Sequence, residues 1–72
     1  MKIYTVYRTD DIYAEHCGTF ATRKGARKAA IKIVKEILKD LSWEDFYDLL
    51  EDLDKYDEIM DIVRIEEEEI GD

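Results

Sequence analysis

The chain has no proline, one cysteine, one histidine and three glycines among its 72 residues. A single cysteine excludes an intramolecular disulfide, and such sparing use fits a reducing compartment. Without proline or a Gly/Ser-rich stretch there is no linker, so residues 1–72 are expected to form a single domain. No apolar run approaches the roughly 18 residues of a membrane span, and no leader-like pattern opens the chain. A cytoplasmic location is therefore expected, in a host cell's cytoplasm if the chain is phage-encoded.

The catalytic inventory is equally short. His16 and Cys17 are neighbours, and on a strand neighbours point to opposite faces, so they cannot work as a nucleophile and its base. There is no Walker loop, GxGxxG, HExxH or CxxC pattern. The many carboxylates, if exposed, keep pKa values near 4 and make poor general acids at neutral pH. A chain this short buries only about 60% of its unfolded surface, and its core supplies roughly 3–5 kcal/mol. A deep pocket would remove side chains the core needs. These absences point to a binding protein rather than an enzyme.

What the chain has in quantity is charge, unevenly spread. The net charge is −8, from 11 Lys/Arg and 19 Asp/Glu. Residues 1–40 hold nine Lys/Arg and five Asp/Glu (+4), and residues 41–72 hold two and fourteen (−12). The second half should be repelled by nucleic acid and by anionic membranes, and attracted to basic protein surfaces.

Periodicity predicts an α+β fold of order ββααβ. Residues 2–8 are rich in β-branched and aromatic types and read as a strand. Thr9-Asp10-Asp11 reads as a turn. Residues 12–20 read as a second strand, with Ile12, Ala14, His16, Gly18 and Phe20 on one face and Tyr13, Glu15, Cys17 and Thr19 on the other. Thr22 caps a helix expected to run to about Asp40. Its apolar stripe is Ala26, Ala30, Ile33, Val34, Ile37, Leu38 and Leu41, and its opposite face carries Arg27, Lys28, Lys32, Lys35 and Lys39. Ser42 caps a second helix, with Leu41 and Phe46 spaced as a hydrophobic staple. Trp43, Phe46, Tyr47, Leu50 and Leu53 are expected to be its buried stripe. Residues 59–67 form the third strand. The two helices are expected on one face of a three-stranded antiparallel sheet.

Three features carry candidate chemistry. Glu44, Asp48 and Glu51 recur at spacings of three and four and align on one helix face about 5–6 Å apart. Asp57, Glu58 and Asp61 continue the negative run and Glu66–Glu69 end it, a ridge suited to imitate a phosphate backbone, in which Glu44, Asp48, Glu51, Asp52, Asp57 and Glu58 are the expected contacts with a basic surface. Secondly, Arg23 and Lys24 open the first helix, where positive charge opposes the dipole, and Gly25 weakens it further. They either meet the chain's own acidic half or contact an acidic partner or a phosphate at the helix N-terminus. Thirdly, His16 and Cys17 are possible zinc ligands if a bulge near Gly18 turns both toward one ion. Asp10, Asp11, Glu15 or a second copy would then complete the set of four. Otherwise no cofactor is expected.

From Ile3-Tyr4-Thr5-Val6-Tyr7 through Glu15-His16-Cys17-Gly18-Thr19-Phe20-Ala21-Thr22 to Ala29-Ala30, the chain resembles small phage and mobile-element proteins. Those open on a tyrosine-rich strand and pass through a Gly-x-Phe-x-Thr step into an alanine-containing helix. Compact acidic members of that group include anti-CRISPR proteins, which bind a CRISPR effector nuclease and block its loading or cleavage. The resemblance covers about the first 40 residues. It implies a non-enzymatic inhibitor acting on a protein with a basic nucleic-acid-binding surface. Two other readings stand beside it: a small zinc-stabilised binding domain, and a self-associating phage accessory protein whose oppositely charged halves pair between copies.

Overall fold

The computed structural model describes residues 1–10 and 12–71. Asp11, the last residue of the expected turn and a candidate zinc ligand, lies outside them. Along the chain run β1 (Lys2–Thr9), β2 (Ala14–Phe20), α1 (Arg23–Ile37), α2 (Trp43–Tyr56), β3 (Glu58–Ile59) and β4 (Val63–Glu69). The strands form one antiparallel sheet in the order β2-β1-β4-β3.

The α+β class stands as read, but the sheet has four strands rather than three. The single strand expected over residues 59–67 is a tight hairpin from β3 to β4. Asp57 ends α2 in the left-handed conformation (φ 55°) and returns its N–H to the Leu53 carbonyl. Asp61, also left-handed (φ 62°), turns the chain again, and Ile62 N–H bonds the Ile59 carbonyl at 3.0 Å. Aspartate tolerates this backbone region better than most residues. The turn therefore needs neither of the residues that would have announced it, glycine and proline.

One apolar cluster joins both helices to the sheet. Val6, Ile59, Val63 and Ile65 come from the strands, Ala26, Ala30 and Val34 from α1, and Leu53 from α2. Val6 stands opposite Ile65, and Ile59 opposite Val63, so these four share one sheet face, with both helices on that face. The alanines let α1 lie close to the sheet. Thr22 caps α1 as expected, its hydroxyl accepting from Gly25 N–H at 3.1 Å. The helix ends at Ile37, three residues before Asp40.

Two face assignments are corrected. In α2, Leu53 is 1% exposed and Phe46 and Leu49 pack on the core, whereas Trp43 is 72% and Tyr47 61% exposed. The apolar residues of α2 span too wide an arc for one small core to cover. The core takes the aliphatic side, and the aromatics at 43 and 47 are left outside. In β2, a bulge opposite Val6 and Tyr7 leaves Cys17 without a partner, Gly18 facing Val6 and His16 facing Tyr7. The extra residue moves His16 off the Phe20 face and onto the sheet's open face. Gly18 sits at φ 155°, a conformation that favours glycine, and a Cβ there would meet the Phe20 ring at 3.1 Å.

Candidate functional site: a charge-divided helical face

The two helices lie antiparallel, as their side-chain contacts show. At the start of α1, Arg23 donates from Nε to Asp57 Oδ1 at 2.9 Å and from Nη2 to the Asp54 carbonyl at 3.1 Å. Its Nη2 also pairs with the Asp57 carboxylate. One turn on, Arg27 reaches Asp54 at 2.6 Å. At the other end of α1, Lys35 stands over the Phe46 ring, 5.9 Å from its centroid. The basic first turn of α1 therefore answers the acidic end of α2 within the molecule. The hydrogen bond that Arg23 donates to Asp57, and then the charge of Asp57, raise the Arg23 pKa above the usual guanidinium range.

This clasp consumes one of the six ridge candidates. Asp57 is half-buried and paired with Arg23. Glu44, Asp48, Glu51 and Asp52 are exposed, and among the described residues none of them makes an ion pair. Helical spacing sets Glu44, Asp48 and Glu51 in one row on the side of α2 opposite Leu53, with Asp52 flanking it. Glu58 is also exposed but is not part of this row. It stands opposite Arg64 in β3, which puts it on the open face of the sheet with Tyr7. The ridge is therefore four carboxylates on α2 rather than six along the chain. Glu66–Glu69 lie elsewhere, on β4. There Glu67 meets Lys2 at 3.4 Å and the Tyr4 hydroxyl at 3.2 Å. Arg64 Nε stands 3.2 Å from Glu66, an ion-pair distance without hydrogen-bond alignment.

Beside the acidic row runs a feature that sequence reasoning missed. Trp43 and Tyr47 are stacked at a tilt, 6.1 Å between centroids, and both are exposed. Tyr47 lies seven residues before Asp54 and so on the same side of α2, the side facing α1, where it borders a hollow together with Arg27. Trp43 borders a second, shallow groove of about 220 Å³ with Lys35, Leu38, Lys39, Leu41 and Phe46. Leu41 and Phe46, spaced as a staple, both line this groove. The signal was the excess of apolar residues on α2, more than one stripe could bury.

Across from this aromatic pair, α1 presents Lys24, Lys28, Lys32 and Lys35, and Lys39 follows in the turn after it. All are exposed, and none makes an ion pair among the described residues. They lie on the side away from Ala26, Ala30 and Val34. The outer surface of the helical layer thus carries a lysine row and a carboxylate row, with the aromatic pair between them at the end where α2 begins.

The possible zinc ligands are engaged otherwise. His16 Nε2 is 3.1 Å from Thr19 Oγ1, and its ring meets Tyr7 edge-on at 5.9 Å. Cys17 is exposed, with Sγ 3.5 Å from the Glu15 carbonyl. The Asp10 carboxylate accepts the N–H groups of Ile12 and Tyr13 at 2.8 and 2.9 Å, which lowers its pKa. The bulge that would turn His16 and Cys17 together is present. Among the described residues, however, no three of His, Cys, Asp and Glu gather as a ligand set. None of the described helices is long and apolar enough to cross a membrane.

The chain matches no protein-family model, no curated protein and no solved structure.

Proposed function

We propose that the chain is a non-enzymatic binding protein that docks the outer face of α2 on a cationic, nucleic-acid-binding surface of another protein. The observation that carries this reading is the row Glu44, Asp48 and Glu51, exposed along one helix face and without an ion pair among the described residues, with Trp43 and Tyr47 exposed beside it. A row of carboxylates about one helical turn apart offers a cationic channel the regular negative charge it is built to hold. The aromatic pair supplies the desolvated anchor that charge alone lacks, since tryptophan and tyrosine dominate interface energetics. In its narrower form the reading makes the partner a CRISPR effector nuclease whose nucleic-acid loading is blocked. That form rests on the resemblance of the first 40 residues.

The test is affinity capture from a phage host, identified by mass spectrometry, followed by binding kinetics on the recovered protein. Binding should weaken steeply with salt, and D48K/E51K should slow association about tenfold or more. Affinity indifferent to both salt and the double reversal would overturn acidic docking. Recovery of a basic partner other than a CRISPR nuclease would retain docking and discard the narrower form.

A further inference from the structure

The lysine row of α1 has no role in docking on a cationic partner, and the helical layer holds it parallel to the carboxylate row. We propose that two copies of the chain pair through these helical faces. The two-fold axis runs along the seam between the helices, so that α1 of each copy covers α2 of the other. An axis in that direction exchanges the two sides of the face without sliding them along the helices. The interface is then isologous, each contact occurring twice.

The register follows from contacts within one copy. Arg23 lies level with Asp57, Arg27 with Asp54, and Lys35 with Phe46. The exchange therefore brings Glu44 between Lys35 and Lys39 of the second copy, Asp48 beside Lys32, and Glu51 and Asp52 beside Lys28. The opposite signs match along the length of the helices. Trp43 and Tyr47, flanking the axis at the end where α2 begins, come together with their counterparts as an apolar anchor beside the charged rows. A helix of 15 residues is about 22 Å long, and neighbouring helices lie about 8–10 Å apart. The face is therefore at the low end of specific interfaces, and the dimer is weak and sensitive to salt.

Self-pairing and docking on a cationic protein both use α2, so they exclude one another, but only self-pairing needs the lysines of α1. The test measures oligomeric state by light scattering across protein and salt concentrations. The emission of Trp43, the sole tryptophan, serves as a local probe. At low salt the parent should become a dimer as concentration rises, with a blue shift of Trp43, and both should vanish at high salt. K28E/K32E should remain monomeric while keeping the α2 ridge and any cationic partner. Adding D48K/E51K to it restores the parent net charge and should restore the dimer. An equimolar mixture of the two double variants should form a heterodimer and so serves as a second measurement. A parent that stays monomeric at millimolar concentration and low salt would overturn the proposal. So would growth beyond a dimer, a dimer indifferent to K28E/K32E, or swapped charges that fail to pair in both tests.

Discussion

Leu53→Ala tests the assignment of α2's inner face. Leu53 is 1% exposed and is the largest fully buried side chain among the described residues, placed in the same apolar cluster as Ile59 and Val63. Truncating such a leucine costs about 2–5 kcal/mol, because packing contacts are lost and the cavity relaxes only in part. A domain of this size has roughly 3–5 kcal/mol in all. Taking about 2.1 cal/mol/K per residue for the unfolding entropy, a loss of about 2.5 kcal/mol lowers Tm by roughly 16 °C. Trp43→Ala, at a site 72% exposed, should fall within the roughly 0.5 kcal/mol of ordinary surface substitutions, about 3 °C. Leu50→Ala, half-buried, should lie between them. Thermal melts by far-UV circular dichroism read all three. A Trp43→Ala loss equal to or larger than that of Leu53→Ala would refute the face assignment, and with it the exposed aromatic pair.

Gly18→Ala should destabilise by about 1–3 kcal/mol, because the left-handed backbone is strained for any side chain and the new Cβ meets the Phe20 ring; an unchanged urea midpoint would refute the bulge geometry. Asp10 has its pKa lowered by the N–H groups of Tyr13 and Ile12. Its contribution is therefore present above the ordinary carboxylate pKa and lost as pH falls through the lower folded value. Asp10→Asn should lose stability at pH 7 and show a shallower acid limb than the parent; parallel acid limbs would refute this. Cys17 is exposed, so it should react with a disulfide reagent in the native state about as fast as a free peptide thiol; reaction only after unfolding would place it wrongly.

Local signals were legible wherever one residue type answers one local need. Thr22 and Ser42 cap their helices because each offers a hydroxyl to an otherwise unpaired N–H. Ala26, Ala30 and Val34 were read as inward because they fall on one narrow stripe. The failures came where tertiary context chooses between local options. Trp43 and Tyr47 fit a stripe as well as Leu49 does, and only the position of the sheet decides which is covered. The bulge at Cys17 leaves no mark beyond one glycine, yet it reverses the face of every residue before it in β2. The hairpin at 59–63 turns on two aspartates that read as solvent-facing charge. For the ridge, spacing correctly joined Glu44, Asp48 and Glu51, since all three lie on one helix. It wrongly joined Glu58, because a sequence run of acids carries no information on what happens after the helix ends. The clasp of Arg23 and Arg27 on Asp57 and Asp54 had one sign in the sequence, the misfit of positive charge at a helix start.

Because β3 is only two residues long, it covers β4 at Val63 and Arg64 alone. Among the described residues, no strand pairs with the outer margin of Glu66–Glu69. Near neutral pH the four glutamates there repel any strand that approaches, and a second copy of the same segment most of all. With those side chains replaced by glutamine the repulsion is gone, and the unpaired peptide groups of the edge remain as a template. The E66Q/E67Q/E68Q/E69Q variant should then add copies of itself strand by strand and form fibres where the parent does not.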